Sequence, residues 1–368
     1  MNIVYFIHSL VSCWNHGNAH FVRGVLRALV AQGHSVRSFE PIDGWSRTSL
    51  VADQGEQSLA AFTTAYPDLA PHAHFVRPDP DEMLDGAELV LVHEWTEPSL
   101  IAAIGARRSR GARFTLLFHD THHRAVSDPE AIRRLDLDGY DGVLAFGSAL
   151  AAIYRNAGWG ARAFVWHEAA DDRRFRPPAT DGDRAGVVWI GNWGDGERSE
   201  ELHRYLLRPA ASLGLALDVY GVRYPQGGID AIAAAGGRYH GWIANADVPA
   251  AFARHRMTVH VPRRFYTDRL PGIPTIRVFE ALACGIPLVC SPWDDCEGLF
   301  PPGDFLLATD PAQMAAHLRA LDADPALRAS LAAHGRETIL ARHTCAHRAR
   351  ELLGIAAQIG QSAPMEIA

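Results

Sequence analysis

Apolar residues at the start of the chain follow first a strand pattern and then a helix pattern. Residues 3–7 form an unbroken apolar run, as expected of a buried strand. Apolar residues then recur at helical spacing between positions 21 and 30, and a second strand is predicted at residues 36–39. A strand, helix, strand unit of this kind predicts a parallel sheet. Arg23 and Arg27 fall opposite the apolar stripe, so we expect them on the exposed face of the helix.

The same pattern continues through both halves of the chain. In the first half, further strand-like runs occupy residues 89–93, 114–118, 142–146 and 162–166. In the second half, strand-like runs occupy residues 187–190, 216–220, 258–261 and 287–290. Helical spacing in that half occupies residues 199–213, 248–254, 276–284, 311–321 and 325–340. Strands that alternate with helices predict two doubly wound α/β domains.

A charged stretch rich in proline and glycine separates the two series. Residues 171–184 read DDRRFRPPATDGDR and carry no apolar periodicity. With 368 residues, the chain also exceeds the size at which one hydrophobic core stops growing. We therefore predict two Rossmann-like domains that face each other across a cleft, with a C-terminal helix and tail that packs back on the first domain. The predicted bounds are 1–168 for the first domain, 169–184 for the linker, 185–345 for the second domain and 346–368 for the helix and tail.

Charge and cysteine content restrict the partners and the compartment. The formal net charge is -7, which leaves no basic surface of the kind that binds nucleic acid or anionic lipid. No stretch reaches the length of an apolar membrane span, and the first residues lack the basic region of a signal peptide. Five cysteines without CxxC spacing favour reduced thiols. These features predict a cytoplasmic protein with no integral membrane span and no nucleic-acid partner.

Residues 270–289, LPGIPTIRVFEALACGIPLV, carry the most chemical information. Two prolines and Gly272 predict a tight loop, Thr275 is a candidate N-cap, and the later glycine ends a short helix before a strand. Free amides and the positive dipole end at a helix start attract phosphate, so the amides of Thr275 and Ile276 are candidate diphosphate donors. Glu280 lies one turn into the helix, where its carboxylate either reaches ribose hydroxyls or is simply solvated.

The segment FEALACGIPLV within this stretch resembles the nucleotide-binding helix and strand of GT-B glycosyltransferases, especially family 4 and the spore-maturation CgeB-like group. Further similar segments occur in family order across nearly the whole chain. They are the first glycine-rich loop HGNAH (16–20), the strand end FHD (118–120), the interdomain hinge WHEAAD (166–171) with FRP (175–177), the opening strand of the second domain VWIGN (188–192), and the base-binding segments YHGWI (239–243) and VPAAF (248–252).

The resemblance implies a role for each matching position. It implies that Gly17 and Asn18 lie close to the donor, that His119 lies against the donor sugar, and that Glu280 binds the ribose. The remaining residues that it places at the nucleotide sugar are Gly191, Asn192, Trp242, Gly272, Ile273, Pro274, Thr275, Ile276 and Arg277.

Two positions depart from the family pattern. Family 4 enzymes carry a glutamate eight residues before the ribose-binding one, where this chain has Gly272. Their basic residues in the first loop of the second domain correspond here to Asn192 and Glu197, with Arg198 adjacent. We therefore take Arg198 as a catalytic candidate beside His119 and Glu280. The arginines available to neutralise a diphosphate are Arg198, Arg263, Arg264, Arg269 and Arg277.

Two other clusters offer different chemistry. Residues 119–123, HDTHH, follow a strand and contain ligand types for zinc or iron, but GT-B folds do not normally need a bound metal, so no metal is expected. Residues 93–95, HEW, also follow a strand and could bind the acceptor or supply a base. Two Asp-x-Asp pairs, at 79 and 81 and at 136 and 138, lie in turn-like or helical polar contexts and do not favour a metal-dependent GT-A enzyme.

The residues and the resemblance together predict a glycosyltransferase. It would move a sugar from a nucleotide-diphosphate sugar, UDP- or GDP-linked, to an acceptor hydroxyl with retention of configuration, without a tightly bound cofactor. The acceptor stays open between a small molecule, a glycan and a protein. The alternatives are a nucleotide-sugar epimerase or hydrolase, a non-catalytic binding protein with a degenerate donor site, and a metal hydrolase built on residues 119–123.

Overall fold

The computed structural model describes residues 1–69, 72–158, 160, 162–178, 182–194 and 196–362. The chain divides into two compact units, the first formed by Met1–Glu168 with Cys345–Ala368 and the second by Ala169–Thr344. Each unit contains its own sheet of parallel strands. The predicted α/β class with two parallel sheets is therefore confirmed.

The first unit contains a seven-stranded sheet. Its strands are β1 (Asn2–Phe6), β2 (Ser35–Pro41), β3 (His72–Phe75), β4 (Leu89–His93), β5 (Thr115–Asp120), β6 (Gly142–Ala145) and β7 (Ala163–Val165). They lie in the order β3-β2-β1-β4-β5-β6-β7, and each described pairing is parallel. The helices before residue 168 are α1 (Ala19–Ala31), α2 (Trp45–Gln54), α3 (Gln57–Ala65), α4 (Pro80–Met83), α5 (Pro98–Ser109), α6 (Arg124–Ser127), α7 (Pro129–Arg133) and α8 (Ser148–Ala157).

The second unit contains a six-stranded sheet. Its strands are β8 (Val187–Ile190), β9 (Leu217–Tyr220), β10 (Gly237–Tyr239), β11 (Met257–His260), β12 (Leu288–Cys290) and β13 (Leu306–Leu307), in the order β10-β9-β8-β11-β12-β13. The helices are α9 (Ser199–Leu202), α10 (Arg208–Leu213), α11 (Gln226–Ala234), α12 (Val248–Ala253), α13 (Arg264–Asp268), α14 (Ile276–Ala283), α15 (Pro311–Ala323) and α16 (Pro325–Arg342). A π-helical turn, His203–Leu207, joins α9 to α10, so the helix predicted at 199–213 is continuous.

Both sheets reverse their strand order at one position. The reversal lies between β1 and β4 in the first sheet and between β8 and β11 in the second. Strands at these positions are buried on both faces, which explains why their sequences read as continuous apolar runs. In open parallel sheets, ligands bind beyond the carboxyl ends of the strands at such a switch point. Ligand-binding residues are therefore expected in the loops after these four strands.

The last helix, α17 (Cys345–Ser362), belongs to the first unit and packs against α1. The Cys345 thiol lies 3.8 Å from the carbonyl oxygen of Phe21 in α1. The indole of Trp166 donates a hydrogen bond of 2.9 Å to the carbonyl oxygen of Arg348. This helix therefore covers an apolar face of the first unit. None of the helices in the described part of the chain has the length and hydropathy needed to cross a membrane.

The expectation that Arg23 and Arg27 lie on an exposed face of α1 is wrong. Arg23 is 3% exposed, donates to the carbonyl oxygens of Leu10 and Val11, and lies over the rings of Phe62 and Tyr66. Arg27 forms a partly buried ion pair with Asp68. The segment that follows β2 covers this face of the helix, and a local periodicity of polar residues does not reveal that cover.

Candidate functional site

The loop after β8 lies at the switch point of the second sheet and is tightly packed. Gly191 donates its amide to the carbonyl of Tyr220, and its own carbonyl accepts from the hydroxyl of Tyr224 at 2.8 Å. Gly221, with φ of 149°, approaches so closely that a Cβ there would lie 2.0 Å from the oxygen of Gly191. Two glycines therefore fix the path of the chain just before Asn192.

Two arginines converge on the side chain of Asn192. Arg198 donates to the backbone oxygen of Asn192 at 2.8 Å, to its side-chain oxygen at 2.6 Å, and to the carbonyl of Val261 at 3.3 Å. Arg263, which follows β11, donates to the same side-chain oxygen at 3.1 Å. Arg263 also forms an ion pair with Glu197, whereas the partners of Arg198 are neutral oxygens. Within the described chain, the charge of Arg198 has no carboxylate partner.

Burial and the nearby charge of Arg263 lower the pKa of Arg198 to about 9, and Arg277 acts in the same direction. The Arg198 side chain also lies over the indole of Trp189, 5.2 Å from the ring centre, and its Nε is buried without a hydrogen bond. A guanidinium in this position is destabilised by its neighbours, and an anion would relieve that repulsion. The switch point of the second sheet is therefore electrostatically suited to an anion.

The helix predicted around residue 276 begins as expected, but its cap differs. Thr275 occupies the N-cap position of α14, yet its hydroxyl lies 3.2 Å from Nε2 of His260 and makes no capping bond to a helix amide. The prediction that the side chain of Thr275 caps the helix is therefore wrong. Burial and the charges of Arg198 and Arg277 lower the pKa of His260 to about 3, so this imidazole is neutral. The Thr275 side chain does not cap α14, whereas the Val278 amide of the first turn donates to the Thr275 carbonyl at 3.0 Å, so Ile276 keeps its place as the candidate amide donor to a ligand.

Glu280 is completely buried, so the solvated interpretation of this residue is wrong. Its carboxylate forms an ion pair with Arg277, one turn earlier on α14. The side chain of Arg277 is 13% exposed, and its Nε is buried without a hydrogen bond. The pair fixes both side chains beside the start of the helix. The role of Glu280 toward ribose stays a prediction.

Any residue other than glycine would be strained at position 272. The φ of Gly272 is 83°, and its amide donates to the carbonyl of Asp294 at 3.0 Å. A Cβ at this position would lie 2.7 Å from the sulfur of Cys296 and 2.8 Å from Cγ of Glu297. This geometry accounts for the absence of the family glutamate here. Ile273 and Pro274, which follow, are buried and connect Gly272 to Thr275.

Trp242 lies in the loop that follows β10, a strand separated from β8 by β9. Its side chain is half-buried, and the indole nitrogen is buried without a hydrogen bond. The neighbouring His240 stacks on Tyr220, with ring centres 4.6 Å apart and planes inclined by 15°. The predicted base-binding role of Trp242 stays a prediction.

In the first unit, the loop before α1 is tied to the end of β5. Asn18, at the N-cap of α1, uses its side-chain amide to donate to the carbonyl of Thr121 at 3.2 Å and does not cap the helix. The left-handed residue of this loop is Asn15, with φ of 50°, while Gly17 follows it in a half-buried position. The structure thus brings Gly17 and Asn18 to the carboxyl end of β5.

His119 lies in the core of the first unit and has no exposed surface. Its Nδ1 pairs with the hydroxyl of Tyr5, and its ring is 4.8 Å from that of Trp166. Burial lowers the pKa of His119 to about 3, so it is neutral, and its Nε2 has no hydrogen bond. The predicted contact with a donor sugar stays a prediction.

A buried carboxyl pair, Glu94 and Asp120, lies at the ends of β4 and β5, and each residue is at most 1% exposed. The sequence offered the two residues separately, in HEW (93–95) and HDTHH (119–123), and did not pair them. Burial and the charge of Asp120 raise the pKa of Glu94 well above its ordinary value. Burial also raises the pKa of Asp120, against hydrogen bonds from the Tyr154 hydroxyl at 2.6 Å and the His122 amide at 2.9 Å. Beside the pair, Arg124 lies over the exposed ring of Trp95 at 4.2 Å. Glu94 follows β4 and Asp120 ends β5, and these two strands are neighbours in the sheet. Recognising that the strands pair would have identified the two carboxyl groups as a pair.

The interpretation of residues 119–123 as metal ligands is not supported by their geometry. The rings of His122 and His123 stack on each other 4.0 Å apart, and His123 pairs with the hydroxyl of Ser127 at 2.9 Å. In the part of the chain that the structure describes, three ligand atoms converge instead at Glu40, His72 and His74. The Asp-x-Asp pairs make turns: in each, the first aspartate accepts the amide of the second at 3.0 Å.

The chain is similar to known glycosyltransferases in part of its sequence and in its fold. Residues 198–354 match a family model described as glycosyl transferase-like. No curated protein matches the chain by sequence. Among solved structures, sucrose-phosphate synthase from Thermosynechococcus elongatus has a TM-score of 0.66 at 17% identity, covering 99% of this chain and 100% of that one.

Two further structures contain bound UDP. Anabaena HepE in complex with UDP and glucose has a TM-score of 0.68 at 15% identity, covering 97% of this chain and 99% of that one. An alpha-glucosyltransferase in complex with UDP and a 13-mer DNA has a TM-score of 0.67 at 12% identity, covering 97% and 98%. At these identities the similarity establishes the fold, which is GT-B.

Proposed function

We propose that this transferase of the GT-B fold moves a sugar from a nucleoside-diphosphate sugar to an acceptor hydroxyl, and that its second unit binds the donor. The observation that carries the proposal is Arg198, a guanidinium at the switch point with no carboxylate partner among the described residues. Its depressed pKa, the nearby Arg263 and Arg277, and the start of α14 all favour an anion with several charged oxygens. A diphosphate has this chemistry.

In the proposed reaction, these groups act on the leaving nucleoside diphosphate. Negative charge grows on the diphosphate as the bond to the sugar breaks, and donors that are already in place stabilise that charge without reorganisation. Arg198 supplies a buried cation, and the first-turn amides of α14 supply neutral donors. We assign Glu280 to the ribose, with Arg277 as the partner that holds its carboxylate in place.

We propose UDP as the donor nucleotide, with GDP as the alternative, because two of the similar structures contain UDP. Retention of configuration is proposed on the resemblance of the motifs to family 4 alone. The net charge of -7 argues against a nucleic-acid acceptor, although one of the similar structures contains DNA. A cytoplasmic location is proposed from the composition and from five scattered cysteines without CxxC spacing.

We propose that the first unit supplies the acceptor side. Glu94 and Asp120 lie beside the switch point of its sheet. The adjacent Trp95 has an exposed aromatic ring on which the apolar face of a sugar could pack. A neutral Glu94 can donate a hydrogen bond, whereas an ionised one can accept the proton of an acceptor hydroxyl.

The test is a thermal-shift panel of UDP, GDP, ADP, CMP and dTDP on the wild type, Arg198→Gln and Arg256→Gln. Arg256 is the matched control, because it is paired with Asp322 in the same unit and its side chain is 35% exposed. A nucleotide at 100 times its dissociation constant adds about 2.7 kcal/mol of stability. We expect one nucleotide to stabilise the wild type and the control but not Arg198→Gln. An equal shift in all three proteins would refute the assignment of Arg198.

Product analysis separates transfer from the other reactions on this fold. Incubation with the stabilising nucleotide's sugar, with and without candidate acceptors, shows whether turnover needs an acceptor, and proton NMR of the first product gives the anomeric configuration. Acceptor-independent release of sugar, or an epimerised donor, would replace the transferase proposal with a hydrolase or an epimerase. Nucleotide binding without turnover would indicate a binding protein.

A further inference from the structure

Three side chains of the first unit direct ligand atoms at one point, whereas the proposed donor site belongs to the second unit. His72 and His74 alternate along β3, so they lie on the same face of the sheet. In the register of the two strands, Ser38 pairs with His72 and Glu40 pairs with His74. The carboxylate of Glu40 and one nitrogen of each imidazole all lie within 4.8 Å of one another. A His-x-His segment and a glutamate on the next strand thus form one cluster.

The two distances from Glu40 to the histidine nitrogens lie on either side of the distance between neighbouring ligand atoms in a zinc site. Oε1 of Glu40 is 2.7 Å from Nε2 of His74 and 3.5 Å from Nε2 of His72. In tetrahedral zinc sites, bonds of about 2.0–2.1 Å place neighbouring ligand atoms about 3.3 Å apart. His74, an edge-strand residue whose side chain is 30% exposed, is the ligand with most room to adjust toward that geometry.

Hydrogen bonds from neighbouring groups orient the two buried ligands, His72 and Glu40. The hydroxyl of Ser38 lies 2.8 Å from Nδ1 of His72, which leaves Nε2 directed toward Glu40. That Nε2 is buried and makes no hydrogen bond. The second oxygen of Glu40 accepts the amides of Leu10 and Val11, so the carboxylate cannot rotate freely. Hydrogen bonds that orient the ligands in this way are characteristic of metal sites.

The cluster combines a buried carboxylate with one buried and one partly exposed imidazole. The side chain of His72 is 5% exposed and that of His74 is 30% exposed, so the cluster opens to solvent on one side only.

We propose that Glu40, His72 and His74 bind a divalent transition-metal ion such as Zn²⁺, with solvent completing the coordination. Two imidazoles and one carboxylate form a ligand set that binds zinc and similar ions. Through Glu40, the ion would connect the edge strand β3 to the segment at Leu10 and Val11, which leads into the loop of Gly17 and Asn18. The ion would thereby stabilise that loop, independently of the transfer reaction.

The test is a titration of the chelator-stripped full chain with Zn²⁺ in competition with a chromophoric chelator. His74→Ala removes the outer ligand, and His240→Ala is the matched control. His240 is 32% exposed and lies 2.8 Å from Asp218, but its carboxylate partner contacts His255 through the other oxygen and does not gather three ligand atoms. We expect one tightly bound Zn²⁺ per chain in the wild type and in His240→Ala, and at least tenfold weaker binding in His74→Ala.

Two further measurements guard against loss of folding and adventitious binding. Ser38→Ala keeps all three ligands, and loss of an orienting partner is expected to weaken Zn²⁺ binding by about 10- to 100-fold. Co²⁺ substituted into the wild type should give a visible absorption band that His74→Ala lacks. Equal Zn²⁺ affinity in the wild type and His74→Ala, equal losses in both histidine variants, or no binding by the wild type would each overturn the proposal and leave a hydrogen-bonded cluster.

Discussion

Arg198 donates hydrogen bonds to both oxygens of Asn192, to the backbone oxygen at 2.8 Å and to the side-chain oxygen at 2.6 Å. Because Arg263 shares the side-chain oxygen, a neutral amide holds two cations together. A carboxylate at this position would neutralise them and compete with any anionic ligand. The chain thus keeps positive charge available at the place where a parallel sheet binds ligands.

Asn192→Asp is expected to change stability and nucleotide binding in opposite directions. The new carboxylate would pair with Arg198 and Arg263, so the melting temperature should rise. It would also occupy the place of the diphosphate, and hydrogen bonds to charged groups contribute about 1.5–3 kcal/mol each, so nucleotide affinity should fall tenfold or more. Thermal unfolding and calorimetric titration measure the two effects. Asn156→Asp adds the same charge at an exposed position of the first unit, in the last turn of α8, so it should leave nucleotide affinity unchanged and should not raise the melting temperature.

Gly272→Ala is expected to destabilise the second unit more than a left-handed glycine usually would. An alanine at φ of 83° costs about 1–2 kcal/mol, and overlap with the sulfur of Cys296 adds to it, for a total of about 3 kcal/mol. Gly236→Ala is the control, because Gly236 has φ of 76° and open space around it. Denaturant unfolding should give a clearly larger loss for position 272. Equal losses would mean that the loop yields to the added methyl group.

Glu280→Gln is expected to reduce stability because it leaves the charge of Arg277 without its buried partner. Breaking a buried ion pair from one side costs about 3–5 kcal/mol, whereas replacing both partners with apolar residues is often neutral. The double variant Arg277→Met with Glu280→Leu should therefore recover most of the stability. If Glu280 also binds ribose, neither variant will recover nucleotide binding. Recovery of both properties in the double variant would assign Glu280 a purely structural role.

Glu94 is expected to make the first unit less stable as the pH rises. Since burial and Asp120 raise its folded pKa above the ordinary 4.5, the folded state holds this proton more tightly than the unfolded state. This contribution is complete below pH 4.5 and is lost as the pH rises toward the folded pKa.

Glu94→Gln keeps a neutral side chain at every pH. Its stability relative to the wild type should therefore grow above pH 4.5, by at most about 1.4 kcal/mol per pH unit. Denaturant unfolding at a series of pH values measures the difference, in which titrating groups other than the adjacent Asp120 cancel. Glu130→Gln, at a carboxylate that is 65% exposed, should show no such trend. A constant difference for Glu94→Gln would contradict the raised pKa.

Apolar runs were sufficient to locate the central strands and the edge strand β7, but not the edge strands β3, β10 and β13. Residues 89–93 and 187–190 were predicted without error because a strand buried on both faces has a continuous apolar sequence. β3 reads HAHF, and β13 has two residues, so neither carries that signal. The cluster of Glu40, His72 and His74 was missed for the same reason, since it depends on recognising β3.

The candidate donor site was predictable in part. The loop, helix and glycine around Thr275 have a local signature, and the structure places a helix there. The charge balance was not predictable, because Arg198 and Arg263 meet at Asn192 from segments far apart in the sequence. Local pattern also could not show that Glu280 is buried and paired with Arg277, since a helix glutamate has the same sequence whether exposed or covered.

The return of α17 to the first unit affects the order in which the chain can fold during synthesis. The partner surface on α1 leaves the ribosome early, yet Cys345 and the residues after it emerge only after the whole of Ala169–Thr344. At translation rates of about 5–20 residues per second, the nascent first unit waits roughly 10–35 s with an apolar face uncovered. During that interval it is exposed to aggregation and to chaperones, even though most of its sheet is already complete.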